Sequence, residues 1–186
     1  MKRDERRQKL ESFGRGPVLL TAALGKLPKK MWLYRPSPDR WSIHEIIHHL
    51  ADSEASGYVQ CRTFIAEPGS RFPQLNAVRW TDSLGYFHQS TREALEIIRR
   101  LRKMTYGLLV SLPDSAWSYA LEDMNNGGMF LEQWLDRQDR HIPHHLDQIC
   151  ENYALWLKAN PPRSAPSQAP KSVAQPRRAT ISIGLR

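Results

Sequence analysis

Apolar positions recur at helical spacing along most of the first 159 residues, and four stretches carry the pattern. The first runs from about Asp4 to Leu24, marked by Leu10, Phe13, Leu19, Leu20 and Leu24. Gly14-Arg15-Gly16-Pro17 lies inside it, and this predicts a break or kink. The second opens at Ser42, a good N-cap, with Glu45 three residues on to complete a capping box. It continues to about Ala66, where Glu67-Pro68-Gly69-Ser70 stops it. A long loop over 71–80 follows. The third stretch starts at Thr81 or Asp82 and ends near Leu112, with Leu84, Phe87, Leu95, Ile98, Leu101, Leu108 and Leu109 as its stripe. The fourth runs from about Met129 to Ala159. No strand-like alternation and no internal repeat is evident. The expected fold is all-α, a four-helix bundle in which the long second-to-third connection is a crossover rather than a simple up-down link.

Composition divides the chain. Residues 1–159 form the expected bundle domain, and 160–186 a tail with five prolines and few large apolar side chains. Such a segment buries too little surface to offset its ordering entropy, so disorder is expected there. The net charge of +8 suggests nucleic acid at first glance, but the tail carries +5 of it, leaving +3 for 1–159. The tail also lacks the aromatic residues that stack on bases, so nucleic acid is not the expected partner. Cys61 and Cys150 form neither a disulfide framework nor a metal-type pair and read as packing residues. Arg62 and Arg79 read as exposed, with recognition of an acidic substrate as the alternative, and Trp80 and Tyr86 as packing, with pocket lining as the alternative. The charged start lacks a signal-peptide core, and no stretch has the roughly 20 apolar residues of a membrane span. A cytoplasmic protein with no membrane partner is the expectation.

Histidines carry the candidate chemistry. His44-Glu45-Ile46-Ile47-His48 matches the H-E-x-x-H of zinc proteases. At about 100° per residue, however, His48 lies about 150° from the centre of the Ile43, Ile46, Ile47 and Leu50 stripe, on the solvent side. His44 and His49 sit on opposite shoulders, each about 110° away. A peptidase is therefore not expected. On the fourth helix His145 falls near the centre of the apolar stripe and His141 at its edge, while His144 points away. His141 and His145 are an i,i+4 pair facing inward, able to share one metal ion. Pro143 between them predicts a local kink or bulge. A third ligand must come from another helix, and three imidazoles would leave positions open for water and substrate. Gln148, three residues after His145, reads equally as a group that orients a ligand or a water and as a helix-surface amide. Glu45 already has a role in the cap, with a second in the site as an alternative.

Two blocks together resemble the DinB-like (DinB/YfiT) superfamily of metal-dependent enzymes. The first is Trp41, Ser42, Glu45, His49, Leu50, Asp52 and Glu54, and the second is His141, His145, Gln148 and Ile149. The resemblance covers about 16–157. It implies a four-helix bundle, a divalent metal such as zinc or nickel, and the ligand set His49, His141 and His145, which chooses His49 over His44. It also implies a thiol-dependent S-transferase or a hydrolase, with a small-molecule substrate, a low-molecular-weight thiol as co-substrate and a homodimer. The rival expectation is a non-catalytic metal-binding protein of a stress or DNA-damage response. Neither the residues nor the resemblance names a catalytic side chain.

Overall fold

In the computed structural model, residues 1–72, 76–123 and 128–161 are described. Helix α1 (Arg3–Leu24) leads through a 3₁₀ turn at Lys29–Met31 to α2 (Ile43–Ala66). A short strand β1 (Arg71–Phe72), a short helix α3 (Ala77–Ser83) and a 3₁₀ turn at Tyr86–His88 follow. Then come α4 (Thr91–Val110), strands β2 (Ala120–Asp123) and β3 (Met129–Phe130), and α5 (Leu131–Ala159). Helices α1 and α2 each pack against both α4 and α5, so α1 and α2 face each other across one diagonal of the bundle and α4 and α5 across the other. Helices α2 and α4 are neighbours that run in the same direction, as His44 beside Thr91 and Glu54 beside Arg102 show, and joining their opposite ends requires a long connection, in agreement with the sequence reading.

Local chemistry explains the boundaries. Ser42 and Glu45 form the expected capping box at the start of α2, with Ser42 N donating to Glu45 Oε2 at 2.9 Å. The expected third helix is two helices. Ser90 caps α4 by accepting from Glu93 N, and Asn76 caps α3 by accepting from Arg79 N, so the start at Thr81 or Asp82 falls inside α3. Leu84 and Phe87, assigned to the stripe, lie outside both α-helices and are 46% and 69% exposed. Three short strands were not anticipated. β1 pairs parallel with β2, and β2 antiparallel with β3, so α5 begins at Leu131 rather than Met129. Segments of two to four residues are too short to show a period of two. The expected disorder of the tail concerns residues that, from 162 onward, lie outside those described.

Two apolar clusters fill the bundle. One gathers Leu20, Leu24, Ile46, Leu50, Ile98 and Ile149; the other gathers Leu10, Phe13, Phe64, Leu109, Trp134 and Leu135. Between them lies a polar layer. Arg102 of α4 is 1% exposed, and its Nε lies 3.0 and 2.9 Å from the two carboxylate oxygens of Glu54 on α2. Its Nη1 donates to the carbonyls of Phe13 on α1 (3.3 Å) and Gln138 on α5 (3.4 Å). One side chain thus touches all four long helices.

The same layer corrects the expected break in α1. The helix is continuous through Pro17. Proline lacks an N–H, so the carbonyl four residues earlier, on Phe13, has no intrahelical donor. Arg102 supplies that donor. Helix α5 likewise passes through Pro143 as one α-helix, without the expected bulge.

Candidate metal centre

Helix α2 brings His49, and α5 brings His141 and His145, to one place. The Nε2 atoms of His49 and His141 are 3.2 Å apart, and those of His145 and His141 are 3.1 Å apart. Among the described residues these three offer nitrogen atoms that all lie within 4.8 Å of one another. Nitrogens bound to one ion at about 2.0–2.1 Å stand roughly 3–3.4 Å from each other, so the donor set fits a divalent metal. Its protonation state fits too. Burial, the largest cause, together with the neighbouring imidazoles, holds His49 down to about 4. Burial, His145, His49, Arg102 and Arg137 hold His141 down to about 2. Burial holds His145 at about 4, against an opposing hydrogen bond to Gln148. All three are neutral at pH 7, as metal ligands must be.

Surrounding groups orient the rings. The Nδ1–H of His145 donates to Gln148 Oε1 at 2.9 Å, which turns the Nε2 lone pair toward the cluster. The Gln148 amide nitrogen lies 3.1 Å from His144 Nε2. The Trp41 ring lies over His49 and His145, at centroid distances of 4.9 and 6.3 Å. Asn152 fixes Trp41 by donating to its carbonyl at 2.8 Å. Glu45, the other residue considered for this surrounding shell, is held by Ser42 and by Arg35, whose Nε donates to Glu45 Oε2 at 2.8 Å.

His48 does not face solvent. It is 4% exposed and His44 8%, because the crossover folds onto the outer face of α2. His44 Nε2 donates to the Tyr86 carbonyl at 2.7 Å, and His44 Nδ1 lies 2.9 Å from Thr91 Oγ1. The Tyr86 ring stacks on His48 at 5.4 Å, and its hydroxyl donates to Asp52. The H-E-x-x-H histidines therefore anchor the crossover. Cys61 is buried, its thiol pushed up to about 12, as a packing residue would be. Cys150 is exposed and is not a packing residue.

Sequence reasoning missed the polar wall beside the cluster. A cavity of about 130 Å³ borders His49 and His141. Helix α2 lines it with Ser53, Ser56 and Gln60, and α5 with Arg137 and Gln138. Ser53 Oγ lies 3.5 Å from His49 Nε2. Gly57 faces the Gln138 side chain across the α2–α5 contact, and a Cβ there would meet the amide nitrogen at 3.4 Å, an ordinary van der Waals distance. The signal was present: Ser53, Ser56 and Gln60 follow His49 by 4, 7 and 11 residues, a helical stripe in phase with it. A second cavity of about 280 Å³ lies against Trp41 and Gln148. Helix α3 reaches both, with Ala77 at the first and Val78 at the second.

A diagonal four-helix bundle with converging imidazoles from two helices defines the class. The chain belongs to the DinB superfamily, whose family profile matches residues 13–149. It is 24% identical over 109 residues to a "putative metal-dependent hydrolase" of Oceanobacillus iheyensis, and 23% identical over 109 residues to one of Halalkalibacterium halodurans. Each alignment covers 59% of this chain and 63% of the relative, less than two thirds of the relative's length. The fold is similar to that of YfiT from Bacillus subtilis, described as "a probable metal-dependent hydrolase with an unusual four-helix bundle topology". That similarity has a TM-score of 0.76 at 18% identity, over 82% of this chain and 87% of YfiT. Among the described residues no helix is long and apolar enough to cross a membrane.

Proposed function

We propose that the protein is a divalent-metal-dependent hydrolase in which His49, His141 and His145 hold the ion. The observation that carries this reading is the convergence of three neutral imidazole nitrogens at the edge of a polar cavity. The names of the curated relatives support hydrolysis as the reaction class. When bound, such an ion supplies Lewis acidity and a nucleophile at neutral pH. The protein's own groups do the rest. Gln148 fixes the His145 tautomer, and Trp41 shields two of the rings from water. Ser53 and Gln138 offer hydrogen bonds to a substrate held beside His49 and His141. Zinc and nickel both suit three imidazoles.

A second reading is thiol-dependent transfer, with a low-molecular-weight thiol as co-substrate. It is favoured by the cavity wall, where none of the described bordering residues is a carboxylate that could serve as general base. An ion held by His49, His141 and His145 would acidify a bound thiol, so this reading needs no base from the protein.

Elemental analysis of purified protein tests the shared premise. We expect about one zinc or nickel ion per chain, lost in His141→Ala and His49→Ala and retained in His44→Ala. Equal metal content in all four proteins would remove the premise. Turnover of an ester and amide panel, against a panel of thiols with electrophiles, then separates the two readings.

A further inference from the structure

We infer that Gln138 determines specificity, and that the cavity between α2 and α5 takes a carboxamide group of a small substrate. This deepens the metal-centre reading and rests on it for where the chemistry occurs, though not for amide binding itself. Gln138 is only 9% exposed and borders the cavity. Its main-chain carbonyl accepts from Arg102 Nη1 at 3.4 Å, which ties this turn of α5 to the bundle core. Its side chain has no such tie, since among the described residues none hydrogen-bonds the amide. A Cβ at Gly57 would stand 3.4, 3.5 and 3.5 Å from the amide nitrogen, carbon and oxygen. Three nearly equal distances mean that the amide turns its flat face to Gly57. The N–H and C=O groups lie in the amide plane, so that contact leaves both of them unspent. A buried donor and acceptor left unmade are costly, and at the wall of a cavity they call for a ligand.

The neighbouring groups narrow the ligand. Trp134 Nε1 donates to Gln60 Oε1 at 3.0 Å, so what Gln60 offers the cavity is its amide nitrogen, a donor. Ser53 and Ser56 add hydroxyls that donate or accept. Gln138 needs a partner that does both. A carboxylate, an ester or a ketone only accepts, which would leave the Gln138 oxygen unpaired. A carboxamide accepts and donates in one plane and can pair with Gln138 through two hydrogen bonds. A water occupies about 30 Å³ of liquid, so about 130 Å³ holds a group of several heavy atoms. Gln138 precedes His141 by three residues, one helical turn. An amide held here therefore places the adjoining atoms of the substrate at the imidazole cluster.

Titration of the isotope-labelled full chain, metal-free and zinc-loaded, with propionamide and with butanone, followed by NMR, tests the assignment. Butanone has the same outline, with a methyl group in place of the amide nitrogen. We expect propionamide to shift the side-chain amide resonances of Gln138 and to bind at least about fivefold more tightly than butanone in both forms. Gln138→Leu and the near-isosteric Gln138→Met should both lose that preference with their metal content unchanged. Lys103→Gln, in a groove between α1 and α4, should keep it. Equal binding of the two probes, or an undiminished preference in both Gln138 variants, would overturn the assignment. Metal content is read on the same samples. A chain that holds no metal yet keeps a Gln138-dependent preference removes the metal centre and leaves the amide site standing. A chain that holds metal and shows no preference does the reverse.

Discussion

Arg102 and Glu54 form a buried ion pair between α4 and α2, with Arg102 Nε 2.9–3.0 Å from both carboxylate oxygens. Removing one partner leaves the other charge stranded in the core. Glu54→Gln or Arg102→Met should each cost about 3–5 kcal/mol in chemical denaturation. The double variant Glu54→Leu/Arg102→Met should cost less than either single change, because no charge remains to be desolvated. A single-variant cost under about 1 kcal/mol would show that the pair is not the centre of the bundle.

The capping box makes a second, smaller prediction. Ser42→Ala removes the acceptor for Glu45 N and should destabilise the fold by about 1 kcal/mol. Ser42 follows Trp41, which covers the imidazoles, so metal affinity should weaken with it. Unchanged stability in a thermal melt would mean that the Glu45 carboxylate holds the helix start by itself.

Acid should destabilise the metal-free protein over a definite window. His48, His49 and His145 titrate near 4 in the fold against an ordinary 6.5, and His141 near 2. Between those values the unfolded chain binds more protons than the native one, so stability falls as pH drops from about 6.5 towards 4 and further towards 2. Above 6.5 these groups contribute no slope. Denaturation midpoints at pH 7.5, 6, 5 and 4 measure this, and a flat profile between 6.5 and 4 would contradict the buried neutral imidazoles.

Gly107 sits within α4 with no atom within 4 Å of where a Cβ would stand. Gly107→Ala should stabilise the fold by about 0.8–1.0 kcal/mol through helix propensity alone. Loss of stability in that variant would show that this face of α4 is occupied in solution.

The bundle was legible because its helices are long and amphipathic and because Ser42 and Glu45 mark a boundary chemically. The pairing of His141 with His145 was legible from a period of 3.6 on one helix. Their meeting with His49 was not, since periodicity cannot say which helices adjoin; only the resemblance selected it. His48 was misread for a related reason. A helical wheel tells which face is apolar, but not that Tyr86, nearly forty residues on, folds back over the other face. Pro17 was misread because its orphaned carbonyl partner, Phe13, is served by Arg102 from a distant helix. In each case the missing fact was a tertiary neighbour.

Helix α3 holds none of the three imidazoles, yet Ala77 and Val78 border the two cavities beside them. The residues that would do chemistry therefore belong to the long helices, and part of what decides access belongs to a seven-residue insert in the crossover. Changes in that insert can redirect which molecules enter while the bundle and its histidines stay as they are, so chemistry and selectivity can diverge separately along this chain.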